Sequence, residues 1–216
     1  MAGGIDRLGA LDKAFEFIYK SETDGDYYEF GVFQGVSVAR AVRSDIAWRK
    51  KTGRAHVGKF YGFDSFQGLP PFAAGDHLEG YGVFQPGQFA DTQPQRVLDH
   101  IVGEGLPADR VTLIPGFFSE SLGSEVTLRL LEKSRVAIAH IDCDLYSSAM
   151  ECLEFLDGRL ADGAVVLFDD WFCYRGRPDS GVHKAFDEWR AMRDYIVSDY
   201  FTYSWAGRAF IINLGK

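Results

Sequence analysis

The sequence predicts an α/β fold built on a doubly wound, mostly parallel sheet of seven strands with an antiparallel hairpin at its C-terminal edge. Strand-like runs alternate five times with segments of helical periodicity, which is the pattern of consecutive βαβ units. Two of the runs, 136–139 and 164–168, are apolar throughout, as expected for strands buried on both faces. Two further strand-like segments close the chain on either side of Trp205-Ala206-Gly207, and they predict the hairpin.

The N-terminal half begins with a helix over 5–20, where Leu8, Leu11, Phe15 and Ile18 recur at helical spacing. Strands follow at 27–31, 60–64 and 110–114, and further helices at 37–50 and 95–103. The second helix stops at Thr52-Gly53, where glycine is a common terminator. Residues 65–93 are rich in Gly, Pro and Phe and show little periodicity. Loops of that length in compact domains are usually functional or mobile.

The C-terminal half continues with a predicted helix over 119–133 and the strand that ends at Asp142. Ser148-x-x-Glu151 matches a capping box and predicts a helix through Leu160, with Asp162-Gly163 after it. A strand ending at Asp169-Asp170, a helix over 182–193 and the hairpin strands 194–203 and 208–214 complete the order. Because the chain contains no repeat or linker, residues 1–216 are predicted to form a single domain.

Composition excludes several functional classes. The formal net charge of −8 argues against a nucleic-acid-binding surface, which is normally basic.

No apolar segment approaches the roughly 20 residues of a membrane helix, and the N-terminus lacks the layout of a secretory signal. The three cysteines are odd in number and show no C-x-x-C spacing, so a reduced cytoplasmic setting is expected. Exposed members of the large aromatic set would favour a homodimer.

Acidic residues close the two apolar runs. Asp142 follows the first run after His140-Ile141, and Asp169-Asp170 follow the second directly. If these strands are neighbours, their C-terminal ends bring the three carboxylates within a few ångströms of one another. Such carboxylates repel strongly unless a cation holds them. The pattern therefore predicts a divalent-metal site at the rim of the sheet.

A glycine-bearing turn follows the first strand. Gly31 and Gly35 form G-x-x-x-G, which differs from the G-x-G-x-x-G that seats a dinucleotide pyrophosphate. Glu29 before the turn suits a cationic ligand such as S-adenosylmethionine, and Asp64 at the next strand end is placed to accept hydrogen bonds from ribose hydroxyls. Plain helix–strand packing explains the glycines alone equally well, and NAD is the competing cofactor.

Five motifs in order resemble the macrocin O-methyltransferase family, which includes enzymes that methylate sugars of macrolide and aminocoumarin antibiotics. The motifs are Glu29-x-Gly31-Val32-x-x-Gly35, Phe63-Asp64-Ser65-Phe66-x-Gly68-Leu69-Pro70, Pro115-Gly116-x-Phe118, His140-x-Asp142-x-Asp144-x-Tyr146 and Gly163-x-x-x-x-x-Asp169-Asp170. They span residues 27–171.

The resemblance implies a Rossmann-like class I methyltransferase fold that uses S-adenosylmethionine and Mg²⁺. By motif match, the methionine part of the cofactor would face Glu29, Gly31, Gly35 and Ser37, the ribose Asp64 and Ser65, and the adenine Phe117, Phe118 and Ser119. Asp142, Asp169 and Asp170 would hold the metal. Asp142 is also our candidate for the proton acceptor.

The leading functional hypothesis is Mg²⁺-assisted methyl transfer to a hydroxyl of a small-molecule acceptor, either a sugar or another natural-product intermediate such as a diol. An N-methyltransferase acting on an amino sugar, a nucleotide-binding oxidoreductase and a non-catalytic binding module are the alternatives. Simpler structural roles also exist for some of these residues. Asp144 and Tyr146 would order the turn before Ser148, Asp170 would cap a short helical turn, and His140 would be a core histidine.

Overall fold

The computed structural model describes residues 4–90 and 93–215. Its helices are α1 (Arg7–Ser21), α2 (Val36–Thr52), α3 (Pro94–Val102), α4 (Phe118–Ser121), α5 (Glu125–Leu130), α6 (Tyr146–Leu156) and α7 (Gly181–Ala191). Its strands are β1 (Gly25–Phe30), β2 (Val57–Asp64), β3 (Val111–Pro115), β4 (Val136–Ile141), β5 (Leu160–Phe168), β6 (Tyr195–Tyr203) and β7 (Gly207–Leu214).

The seven strands form one sheet in the order β3-β2-β1-β4-β5-β7-β6. The first five strands are parallel, and β7 pairs antiparallel with both β5 and β6. The predicted fold class and the antiparallel C-terminal hairpin are therefore confirmed. The strand order reverses between β1 and β4, and open α/β sheets bind ligands at such a switch point.

Helices cover both faces of this sheet. Apolar side chains of α1, α2 and α3, among them Phe15, Val42 and Ile101, pack on one face. Side chains of α6 and α7, among them Leu153 and Phe186, pack on the other. Consecutive residues of a strand point to opposite faces, so Tyr27 joins the first core and Tyr28 the second. Burial on both faces explains why the paired segments of β4 and β5 are apolar except for the buried His140.

The hydrogen-bond ladder continues one residue beyond the strands at the carboxyl edge. Asp142 N donates to Phe30 O at 2.8 Å, and Asp169 N donates to Ile141 O at 3.1 Å. On the other side of β1, Gly31 N donates to Phe63 O at 2.9 Å. These bonds keep the strand ends level, so the residues that follow β1, β4 and β5 lie at one edge of the sheet.

Two predicted helices differ from those observed. The segment 119–133 contains two short helices, α4 and α5, because Gly123 interrupts the helix and the Ser124 hydroxyl caps a new one by accepting from Thr127 N. The predicted capping box at Ser148 is wrong, since α6 begins two residues earlier at Tyr146 and ends at Leu156.

A residue distant in sequence caps α6. Asp76, from the long loop 65–93, accepts hydrogen bonds from Ser147 N and Ser147 Oγ, both at 2.7 Å. Asp76 is buried, and its backbone carbonyl accepts from Tyr174 Oη at 3.2 Å. A carboxylate at a helix N-terminus satisfies orphan N–H groups and interacts favourably with the helix dipole. The loop is thereby fastened to the helix that follows β4.

No helix in the described ranges combines the length and apolar character needed to cross a membrane.

Gly31 is required where β1 meets β4. Its φ is +91°, and an added Cβ would lie 1.7 Å from the Asp142 carbonyl oxygen, a backbone atom that the ladder holds in place. Gly53 also has a positive φ, +71°, but open space surrounds its Cβ position. We expect Gly53→Ala to cost about 1 kcal/mol from backbone strain, and Gly31→Ala more than about 3 kcal/mol because steric overlap is added. Urea unfolding measures both, and equal losses would contradict the role given to the Asp142 contact.

Candidate active site

A cavity of about 660 Å³ opens at the carboxyl edge of the sheet, over the switch point between β1 and β4. Its floor is formed by residues that end or follow the parallel strands, including Gly31, Asp64, Asp142 and Asp169. The long loop supplies much of the remaining wall, with Leu69, Pro70, Pro71, Ala73, Val83, Phe84 and Phe89.

The structure brings the three predicted metal ligands, Asp142, Asp169 and Asp170, together in this cavity, and it adds Asp144 as a fourth carboxylate. Asp170 Oδ2 accepts from Asp144 N at 3.3 Å, and its Oδ1 accepts from Cys173 Sγ at 3.4 Å. Asp144 adopts a left-handed conformation with φ 63°, which turns the chain from β4 toward α6. Asp144 thus has the turn-ordering role considered for it and also faces the cavity.

A cation already contacts two of these acids. Arg7, the first residue of α1, places Nη1 2.8 Å from Asp142 Oδ2 and 3.1 Å from Asp169 Oδ2. Its guanidinium therefore lies between the carboxylates that follow β4 and β5.

Burial and mutual repulsion dominate the electrostatics of the cluster. Burial and then the Asp169 carboxylate raise the pKa of Asp142, against the opposing effect of Arg7. Burial and Asp169 also raise the pKa of Asp170 to about 6. For Asp144, burial and Asp170 raise the pKa. Burial lowers the pKa of Arg7, but Asp142 and Asp169 outweigh it and raise the pKa overall. One guanidinium therefore faces an excess of carboxylates.

The donor set suits a hard divalent cation, which prefers oxygen ligands. Asp169 Oδ1 is buried without a hydrogen-bond partner among the described residues, so one carboxylate oxygen is free to accept a cation. Within residues 4–90 and 93–215, however, no three His, Cys, Asp or Glu side chains are arranged to hold a metal ion as they stand. The residues fit the metal in chemistry and charge, and Arg7 lies between two of them.

Six of the nine predicted cofactor residues line the cavity: Gly31, Asp64, Ser65, Phe117, Phe118 and Ser119. Asp64 also organises the glycine turn. Its Oδ2 accepts from the backbone N–H groups of Val32 and Phe33, both at 2.8 Å, and its Oδ1 accepts from Phe66 N at 2.7 Å.

The other three, Glu29, Gly35 and Ser37, do not line the cavity. Glu29 is fully buried, and its carboxylate accepts hydrogen bonds from the hydroxyls of Tyr27 and Ser37. A Cβ on Gly35 would lie 2.8 Å from Val97 Cγ1, so this glycine allows α3 to pack closely. All three residues therefore contact the turn on the side away from the cavity. His140, expected as a core histidine, is buried with Nδ1 3.4 Å from Glu29 Oε2.

Sequence reasoning missed two residues at the cavity mouth. Arg7 lies 135 positions before Asp142. The helical periodicity of the segment around Arg7 does not indicate which acid its side chain contacts. Trp205 lines the cavity although 74% of its surface is exposed. The tryptophan in the turn of the predicted hairpin is a weak signal, because single exposed apolar side chains are common on protein surfaces.

The strand order, with its antiparallel C-terminal pair, is that of a class I methyltransferase fold. The solved structure of the O-methyltransferase NovP is similar, with a TM-score of 0.68 and 21% identity over 97% of this chain and 80% of that one. The family model of macrocin-O-methyltransferase (TylF) matches residues 1–209, and the chain belongs to this family. The resemblance inferred from the motifs is thus confirmed.

Two curated relatives are similar in sequence to this chain over most of its length. The 8-demethyl-8-(2,3-dimethoxy-alpha-L-rhamnosyl)-tetracenomycin-C 4'-O-methyltransferase of Streptomyces olivaceus is 28% identical over 78% of this chain and 61% of its own length. The mycinamicin III 3''-O-methyltransferase of Micromonospora griseorubida is 27% identical over 78% of this chain and 63% of its own. The chain therefore spans about three fifths of each.

Asp170 is expected to destabilise the metal-free protein at neutral pH. Because its pKa in the folded state is raised to about 6, its protonated form stabilises the fold below pH 4, and this contribution is lost as the pH rises through 6. Asp170→Asn should therefore raise the free energy of unfolding by about 2 kcal/mol at pH 7.5 and by much less at pH 4.5. Urea unfolding with chelator at both pH values measures this, with Asp109→Asn on the exposed surface as the control. A gain that is equal at both pH values would contradict the explanation.

Proposed function

We propose that the protein transfers a methyl group from S-adenosylmethionine to a hydroxyl of a sugar or another small natural-product intermediate. The observation that carries the proposal is one cavity in which the glycine turn after β1, the acid that ends β2 and the carboxylates after β4 and β5 meet. Family membership supports methyl transfer, and the names of both relatives support an oxygen acceptor. The oxidoreductase alternative has no such support, and neither does an amine acceptor.

The cofactor would lie along the β1–β2–β3 side of the cavity. Gly31 brings backbone to the cavity wall, Asp64 offers carboxylate oxygens toward the ribose, and Ser65 lies beside it. Phe117, Phe118 and Ser119 provide the adenine side, and Phe118 is held edge-on against Phe30 with ring centroids 5.9 Å apart. Glu29, Gly35 and Ser37 would act indirectly by holding the turn in shape.

Asp142, Asp169 and Asp170 would hold Mg²⁺, which when bound acidifies an acceptor hydroxyl. Asp142 would take the hydroxyl proton, since its carboxylate lines the cavity beside the position proposed for the metal. The acceptor oxygen forms its bond to the methyl carbon as the carbon–sulfur bond breaks, which leaves S-adenosylhomocysteine. The main task of the protein is to hold donor and acceptor in line.

Trp205 would form the acceptor side of the cavity. Its turn is fixed at both ends, because Ser204 N donates to Ile5 O at 2.7 Å and Phe172 N donates to Ala206 O at 2.9 Å. A held, exposed indole offers a flat apolar face on which a sugar ring or an aromatic diol packs.

Substitution of the acids separates cofactor binding from chemistry. We expect Asp142→Asn to lower kcat at least about a hundredfold, the usual loss when a general base is removed, while the calorimetric Kd for S-adenosylmethionine changes little. The exposed Asp179→Asn is the matched control and should leave both unchanged. Loss of cofactor binding in Asp142→Asn would contradict the division of roles, and turnover that persists after exhaustive chelation would remove Mg²⁺ from the mechanism.

Trp205→Ala should raise the acceptor KM about tenfold, the effect of losing a stacking contact of roughly 1.4 kcal/mol. Trp205→Phe keeps a flat ring and should recover most of the affinity. Steady-state kinetics with rhamnosides and with mycinamicin III test this, alongside calorimetry with the cofactor. An unchanged KM in Trp205→Ala would place the acceptor elsewhere.

A further inference from the structure

The carboxylate cluster contains its own cation. Arg7 Nη1 contacts Asp142 Oδ2 at 2.8 Å and Asp169 Oδ2 at 3.1 Å, so a single nitrogen bridges the acids that follow β4 and β5. A bidentate guanidinium–carboxylate pair would use two nitrogens on one carboxylate. Here the guanidinium acts as a point charge between two carboxylates, which is the position that a bridging metal ion would take.

Arg7 and a bridging ion exclude each other. Magnesium binds its oxygen ligands at about 2.0–2.1 Å in a nearly ideal octahedron. An ion that bonds to both Oδ2 atoms would lie in the space that Nη1 fills, and two cations there would repel each other. For Mg²⁺ to take these two oxygens, the guanidinium must leave.

The structure allows the side chain to leave without moving the helix. About 40% of the Arg7 side chain is exposed, and Nε and Nη2 take no part in holding the acids. The backbone is anchored separately, because Asp6 Oδ1 caps α1 by accepting from Gly9 N at 2.7 Å and Ile5 O accepts from Ser204 N. Rotation about side-chain bonds alone can move the charge into solvent.

We propose that Arg7 is a built-in counter-cation, which holds Asp142 and Asp169 together in the metal-free protein and is exchanged for the divalent ion when the site is loaded. This inference rests on the metal site of the proposed function. It follows that the apparent affinity for the metal is the intrinsic affinity multiplied by the fraction of molecules in which Arg7 has left the position.

Calorimetric titration of the chelator-treated protein with MgCl₂ tests the exchange. If Arg7 occupies the position in about nine molecules of ten, Arg7→Ala should bind Mg²⁺ about tenfold more tightly than the wild type. The matched control is Lys20→Ala, which removes a positive charge from the opposite, exposed end of the same helix and should leave the Kd unchanged. An unchanged or weaker Kd in Arg7→Ala overturns the exchange while the wild-type metal site stands.

The wild-type protein provides a second, independent readout. A bridging guanidinium rotates slowly, so the ¹⁵N signals of its two Nη groups are distinct, and Arg7→Lys assigns them by their loss. Addition of Mg²⁺ should merge the Arg7 signals as the side chain becomes free, and signals that stay distinct at saturating Mg²⁺ overturn the exchange. If neither the wild type nor Arg7→Ala binds Mg²⁺ while both bind S-adenosylmethionine, the exchange fails together with the metal assignment, and the cofactor site stands.

Discussion

Repulsion among carboxylates at one edge of the sheet is the constraint on which the rest of the structure depends. Parallel pairing of β1, β4 and β5 ends these strands level, so Asp142 and Asp169 must lie close together. Burial prevents water from screening them, and the pKa values of Asp142, Asp144 and Asp170 rise in consequence. An arrangement of this kind persists only where a cation compensates it. In the metal-free protein that cation is Arg7.

The surrounding elements converge on this edge by contacts that are distant in sequence. Helix α1 supplies Arg7, and Ile5, two residues before the helix, holds the hairpin turn that carries Trp205. The long loop closes another side of the cavity. Its residue Asp76 caps α6, which begins just after the acids that follow β4. Three walls of the cavity are thus attached to the helices and turns that adjoin the carboxylates.

The two ends of the cavity differ in the chemistry they offer. On the β1–β2 side, the carboxylate of Asp64 and the N–H groups of the glycine turn hold one another, so that end is organised before a ligand arrives. On the β4–β5 side, Asp169 Oδ1 is buried without a partner within the described ranges, so that end is incompletely satisfied. In the proposed function, the preorganised end would bind the nucleoside and the charge-strained end would hold the reacting groups, so different residues would serve binding and chemistry.

Local pattern by itself determined the α/β class, the order of strands and helices, the C-terminal hairpin and the three acids at the strand ends. Those features follow from hydrophobic periodicity and from which residue ends each apolar run, and both are properties of neighbours in the chain. Only the tertiary structure decided how the charges are compensated and how the ends of α6 and β1 are held. Arg7 reaches Asp142 from 135 positions away, Asp76 replaces the local cap expected at Ser148, and Glu29 turns inward to Tyr27 and Ser37 instead of to the cavity. These interactions depend on where folding brings unrelated segments together, and a long-range ion pair or cap leaves no periodic trace in the sequence.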